Sequence, residues 1–432
     1  MKLTTYFYNA NWLIIEKLIS LPIGLITSIF LARYLGPEYF GVFSFLISAV
    51  YIFLPLMQFG LNSVLTKELV SLTDKTNEIL STALSIRLLA SIFTFIVGVA
   101  SAVLFNWIDE RYLVLFVLLL FSYTFSAFDI FNFWFESKKN NRPVAITRVL
   151  TLLLFSILKV TVVIKFESLN LLLLVQATEL IVGYLLYYLL AKIYQCHFKW
   201  QPSYAYGKQI IKKCWWLIFS GLAAALYMKI DQVMLGTIAT KSEVGIYSVA
   251  VRFSEMSYFL PVAIVTAFFP FLIERKQASF TAYNKTLAIF LGGLCWLGIS
   301  VAIVVTLIAT YLIKILYGTE YDASASILAV HVWGGVFVYM RALLSKWLII
   351  EDLLYFSLVT QGTGAIVNIL LNLILIPQYG GIGAAWATII SLAIASWFSF
   401  FFTKKTVKIA IIMTCAPFVF PKHCLSLINK KK

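Results

Sequence analysis

Charged side chains interrupt apolar stretches at intervals along this 432-residue sequence. Eight are basic: Lys17, Arg87, Arg148, Lys159, Lys229, Arg252, Arg341 and Lys346. Five are acidic: Glu16, Asp129, Glu179, Asp231 and Glu255. A charge at mid-bilayer costs roughly 2.5–3.5 kcal/mol on insertion scales, so each one needs a reason. Lys229 and Asp231 sit two apart, and Arg252 and Glu255 three apart on one helical face. Together they put two cations and two anions on adjacent apolar segments. Such a set either locks two helices by buried ion pairs or lines a hydrated cavity. Lys159, Glu179 and Asp129 would supply the opposing wall of that cavity. A cationic cavity favours an anionic ligand, because phosphate oxygens compensate desolvated Lys and Arg. A carboxylate beside a cation can also bind and release H⁺ or Na⁺ as its surroundings change. Glu16, Lys17 and Arg148 lie near segment ends, where snorkelling to the interface accounts for them.

The elements that hold these charges are membrane spans. Hydrophobic residues make up 61% of the chain and charged residues only 12%, against about 25% in a soluble domain. Apolar runs long enough to cross the hydrocarbon recur along the chain. Helices are expected at 11–33, 41–65, 83–106, 112–135, 144–165, 170–191, 214–238, 246–273, 286–310, 326–350, 356–376 and 383–402. The fold class is an all-α polytopic membrane protein of twelve spans. Lys2 followed by no small-residue cleavage pattern marks the first run as retained. Lys and Arg concentrate in alternate loops, notably 192–213 and the tail after Thr403, which places both termini in the cytoplasm. The run Ile409 to Phe420 is short and holds Pro417, so a surface-lying amphipathic segment is expected there.

An internal repeat divides the spans. Gly36 to Pro55 reads GPEYFGVFSFLISAVYIFLP and Thr240 to Pro261 reads TKSEVGIYSVAVRFSEMSYFLP. Gly41 matches Gly245, Ser44 matches Ser248, and both end in Phe-Leu-Pro. Six spans separate equivalent points, so the halves share one orientation and are related by an axis along the membrane normal. The expected organisation is a six-helix bundle at 1–191, a cytoplasmic linker at 192–213, a second bundle at 214–402 and a basic cytoplasmic tail at 403–432. Pro22 and Gly24, Pro55 and Gly60, and Pro261 are sites for kinks or hinges.

Several classes are excluded. Of the three histidines, His197 and His423 fall in a cytoplasmic loop and the tail, and His331 is a lone histidine in span ten with no acid, cysteine or second histidine at ligand spacing. The five cysteines form no CxxC pair. Walker, GxSxG and HExxH motifs are absent from the sequence, so neither a metal nor an organic cofactor is expected and ATP would act through another chain. The net charge of +15 follows from loop lysines facing the cytoplasm and implies no nucleic acid.

Four blocks carry a family resemblance. RYLGPEYFGVFSF (Arg33 to Phe45), DQVMLGTIATKSEVGIYSVAVRFSE (Asp231 to Glu255), LYGTEYDASASIL (Leu316 to Leu328) and NILLNLILIPQYGGIGAAWATIIS (Asn368 to Ser391) resemble, in order and spacing, the polysaccharide transporter family that includes the O-antigen flippases. The resemblance implies the fold of the multidrug/oligosaccharidyl-lipid/polysaccharide exporters. It implies translocation of an undecaprenyl-diphosphate-linked oligosaccharide to the periplasmic leaflet of a bacterial inner membrane, by H⁺- or Na⁺-coupled alternating access. Polysaccharide polymerase and chain-length regulator would be partners, alongside membrane lipids. By position Asp231 matches the family's acidic residue in span seven, with Arg252 and Glu255 on its span-eight face. The family's cationic cavity suits Lys229, Arg252, Lys159, Arg87, Arg148 and Arg341 as substrate-binding groups. Asp231, Glu255, Glu179 and Asp129 are then the ion-coupling candidates. An exporter of small cationic drugs would favour an anion-rich cavity, against the basic excess here. A polymerase or ligase enzyme would need a large outside loop, and the longest one lies only around Tyr311 to Ala325.

Overall fold

The computed structural model describes the backbone of residues 3–196, 198–353 and 355–429. It describes the side chains within 12–421 except at 13, 63, 197, 267, 270 and 354. His197 therefore lies outside the described residues, as does the His423 side chain. All regular structure among the described residues is helical. The helices are α1 (Leu3–Tyr51), α2 (Leu54–Gln58), α3 (Asn62–Ser71), α4 (Thr76–Phe105), α5 (Glu110–Thr124), α6 (Ile130–Ser137), α7 (Arg142–Phe166) and α8 (Leu169–Ile193). After them come α9 (Tyr204–Ile238), α10 (Lys241–Met256), α11 (Phe259–Ala278), α12 (Phe280–Tyr317), α13 (Asp322–His331), α14 (Gly334–Ile350), α15 (Tyr355–Ser396) and α16 (Val407–Asn429).

Among the described residues, nine stretches are long and apolar enough to cross a bilayer. Two of them, Ile14–Gln58 and Tyr355–Phe401, have 45 and 47 residues. At 1.5 Å per residue each is about twice the ~30 Å hydrocarbon core, so each crosses twice. The bends are built from glycine and proline. Gly36 takes φ 69° and ψ 172° in α1, ahead of Pro37. Gly380 takes φ 55° and ψ −133° in α15, three residues after Pro377. Positive φ is open to glycine at no steric cost, and proline lacks the N–H that would continue the ladder. A further pair, Thr319–His331 and Gly334–Ile350, is bent by 47° into one broken span. These elements give the twelve crossings the sequence predicts. Leu104, Phe105, Val114, Leu307 and Ile315 stand more than two-thirds exposed, which water would not tolerate across so many neighbours and lipid does.

The chain forms two compact units, Met1–Val233 and Met234–Lys432. The helix breaks recur in both at the same spans. In the first unit, span two breaks at Ile52 and Phe53, and again around Phe59 to Leu61, and span four at a 3-10 turn, Phe125–Asp129. In the second, span eight breaks at Ser257 and Tyr258 and span ten at Val332 and Trp333. The repeat read from the residues is therefore also a repeat of helix interruptions.

Three features differ from expectation. α9 starts at Tyr204 rather than near 214, because its basic first turns pack within the first unit: Lys213 Nζ lies 2.7 Å from Glu68 Oε1 of α3, and Ile210 and Cys214 are buried. The apolar run after Thr403 is a packed helix, not a segment lying free on a surface. α16 buries Ile409, Ala410, Met413 and Ala416 against α12. Gly292 allows the approach, since a Cβ there would overlap the Ala416 carbonyl, and Trp296 Nε1 donates to the Pro417 carbonyl at 2.9 Å. Thirdly, Glu16 does not snorkel: it is 4% exposed.

Candidate functional site

The first unit gathers charges along the contact between α7 and α8. On α7, Arg148 and Lys159 are eleven residues apart, three helical turns, and so share a face. On α8, Gln176, Glu179, Gly183 and Tyr187 repeat at three to four residues and form the facing row. A cavity of about 260 Å³ lies between them, lined by Thr147, Arg148, Thr151, Leu152, Gln176, Glu179, Leu180, Gly183, Tyr184 and Tyr187.

At one end, Arg148 Nε donates to the Tyr187 hydroxyl at 2.8 Å. Its Nη1 lies 3.4 Å from Glu16 Oε2, and the guanidinium sits over the Tyr187 ring at 5.5 Å. The residue remains 29% exposed, so its cation is oriented yet reachable. At the other end, Lys159 Nζ donates to Gln176 Oε1 at 2.7 Å and pairs with Glu179 Oε2. Gln176 Nε2 donates to the same Glu179 oxygen at 3.1 Å.

Deeper in the unit lies Arg87 of α4, fully buried. Its Nη2 donates to Asn62 Oδ1, and its guanidinium stacks on Phe133 at 5.4 Å. Its Nε and Nη1 have no hydrogen-bond partner among the described residues. Asp129, in the 3-10 turn that breaks span four, acts electrostatically on both Arg87 and Arg148. Asn62 Nδ2 in turn donates to Gln58 Oε1 at 2.8 Å, so a polar chain continues along the broken span two. A buried cation with two unused donors is costly unless an anion is close, and here Asp129 provides that charge.

Thus Arg87, Asp129, Arg148, Lys159 and Glu179, assigned separately from sequence, meet in one unit. The other candidates lie on other helices. Lys229 and Asp231 lie at the end of the first unit, Asp231 4% exposed beside Gln232, which pairs with Ser48. Arg252 and Glu255 lie in the second unit on α10, where Glu255 and Tyr317 act electrostatically on the Arg252 guanidinium. Arg341 braces α14 against α15: Nη1 donates to the Ala395 carbonyl at 3.0 Å and Nη2 to Thr360 Oγ1 at 2.7 Å. Lys346 stacks over Phe269 at 5.3 Å. His331, set aside as a lone histidine, is buried at the span-ten break with Nδ1 2.9 Å from Ser254 Oγ. Sequence reasoning missed Gln176, Tyr184 and Tyr187. The signal was available in their three-to-four-residue spacing with Glu179. A second cavity of about 280 Å³ lies at the exit of α8, between Phe131, Tyr188, Lys192 and the loop residues Gln195, Cys196 and Phe198. Burial pushes the Cys196 thiol up to about 11. No cluster of His, Cys, Asp and Glu suited to a metal occurs among the described residues.

Comparison with known proteins agrees with this architecture. A lipid II flippase MurJ, in an inward closed conformation, superposes with TM-score 0.74 at 16% identity, covering 95% of this chain and 92% of that one. An inward-facing multidrug resistance MATE family transporter gives TM-score 0.66 at 13% identity, over 95% and 96%. At such identities the likeness is one of fold. In sequence, the probable flippase AglR of Haloferax volcanii is 30% identical over 187 residues, 39% of this chain and 36% of that protein. The probable low-salt glycan biosynthesis flippase Agl15 of the same organism is 23% identical over 203 residues, 45% and 41%. The chain thus matches under half the length of these curated relatives. The profile of the polysaccharide biosynthesis protein family matches residues 7–276, well over half of the chain, and the chain belongs to that family.

Proposed function

We propose that this protein is a flippase that moves an isoprenyl-diphosphate-linked oligosaccharide from the cytoplasmic to the outer leaflet. The observation that carries this reading is the cavity between α7 and α8, where an oriented, accessible Arg148 and a second cation, Lys159, share one helix face. A diphosphate drawn from the headgroup layer needs such cations, because leaving water would otherwise strip its charge of compensation. Family membership and the flippase names of both relatives support the same class. The finer assignment is an undecaprenyl-linked O-antigen repeat unit at a bacterial inner membrane, with both termini cytoplasmic. Polymerase and chain-length regulator would act on the product. Coupling to H⁺ or Na⁺ would fall to Asp129, Glu179, Asp231 and Glu255, with Lys229, Arg252, Arg87 and Arg341 adding positive potential.

The test uses cells deleted for this gene and complemented with Arg148→Ala or Lys159→Ala at matched protein levels. Lipid-linked glycan should accumulate in the inner leaflet. Normal surface glycan from both variants would disprove the site.

A further inference from the structure

Lys159 does not face the cavity directly. Gln176 and Glu179 line it, and the ammonium sits behind them at 8% exposure. A phosphate entering the cavity therefore meets the Glu179 carboxylate before it reaches the cation. Among the described residues the carboxylate is held through one oxygen: Lys159 Nζ and Gln176 Nε2 both donate to Oε2. The ammonium keeps a second acceptor, Gln176 Oε1 at 2.7 Å, if the carboxylate leaves. A cation that keeps a neutral acceptor when its carboxylate leaves is suited to exchange.

We infer that Glu179 is an internal competitor for the substrate's phosphate, holding Lys159 between transport events and giving way when a diphosphate binds. This rests on the flippase reading above. Arg148, three turns earlier on the same face and about 16 Å away along the helix axis, is too far to share one diphosphate with Lys159. The two cations are then successive stations. Arg148 captures the headgroup, and Lys159 takes it over once Glu179 swings aside. When the carboxylate closes again on the ammonium it expels the phosphate, so release needs no second ligand. Apparent affinity falls by the fraction of time the competitor occupies the site.

The test measures binding of farnesyl diphosphate to the protein in nanodiscs, with farnesol as the uncharged control, and turnover in proteoliposomes. Glu179→Gln removes the competing charge and keeps the shape. It should bind about tenfold more tightly, a change of about 1.4 kcal/mol, while turnover slows because release is impaired. Gln176→Glu adds a second competitor and should weaken binding. Lys159→Gln should weaken binding, and adding Glu179→Gln to it should change nothing more. Tighter binding cannot come from a damaged fold, so the affinity gain separates this role from a structural one. Equal or weaker binding by Glu179→Gln, at wild-type thermal stability, overturns the inference. If Glu179→Gln fails to fold, unchanged binding by Gln176→Glu does so. Should the wild type bind farnesyl diphosphate no better than farnesol, the flippase reading itself fails.

Discussion

Tyr187→Phe removes one oxygen from the site and leaves the ring that stacks under Arg148. The lost contact is the 2.8 Å hydrogen bond from Arg148 Nε to the phenol oxygen. What remains is the pairing of Nη1 with Glu16 at 3.4 Å, longer than the ~2.7–2.9 Å of a strong charge-assisted bond. Interhelical hydrogen bonds in membranes average about 0.6 kcal/mol and reach about 1.7. A charged donor belongs at the upper end, so a loss of about 1–1.7 kcal/mol is expected, roughly 5- to 20-fold in an equilibrium constant. The loss should appear in the KM for lipid-linked substrate, because a guanidinium released from Tyr187 samples orientations that do not face the cavity. The assay is transport in proteoliposomes for wild type, Tyr187→Phe, Arg148→Gln and the double variant. If Tyr187 acts by orienting Arg148, the two effects are coupled by about 1 kcal/mol or more. Additivity within about 0.3–0.5 kcal/mol, as for independent sites, would show that Tyr187 does not orient Arg148.

Other consequences can be checked on the purified protein. Glu243 Oε2 accepts from Gly381 N at 3.0 Å, just past the bend of α15. Glu243→Ala should lower stability in detergent by about 0.5–2 kcal/mol, the range for a lost helix cap, and Glu243→Gln should recover most of it. Gly292→Leu would push into the Ala416 carbonyl and bring a Cβ within 2.6 Å of Phe420 Cβ. It should destabilise by about 1–3 kcal/mol through overpacking and open the connection before α16 to protease. Arg341→Lys keeps the charge but loses the fork that joins Ala395 and Thr360; thermal stability should drop with the KM unchanged. A variant with Cys196 as the sole cysteine should label slowly with maleimide at neutral pH. With the thiol raised to about 11, its thiolate fraction at pH 7.5 is about 0.03%, against about 10% for an ordinary thiol. Labelling should then rise about tenfold per pH unit until it levels off near pH 11.

The span count was legible because length and apolarity alone decide whether a helix can cross a bilayer. The repeat was legible at Gly36 and Thr240 because chain reversals demand particular residues. The second unit's α16 was not. Proline residues and a short apolar run argue against an embedded helix, and only the bare face at Gly292 on a distant helix makes room for it. In the site, intramembrane charge drew attention to Arg148, Lys159 and Glu179. Charge alone could not pair them, since the contact of α7 with α8 sets which residues meet. Glu16 was misread for the same reason: proximity to the end of a span suggests snorkelling, and its burial depends on Arg148 arriving from another helix.

The proposed activity is movement of a lipid-linked glycan between leaflets. The decisive measurement reconstitutes the purified protein in liposomes carrying a labelled isoprenyl-diphosphate oligosaccharide, and follows how much label becomes accessible to a membrane-impermeant reagent. Protein-dependent exposure of the inner-leaflet pool is expected, and it should be lost in Arg148→Ala. Exposure at the rate of protein-free liposomes, by wild type in a folded state and under either an H⁺ or a Na⁺ gradient, would contradict it.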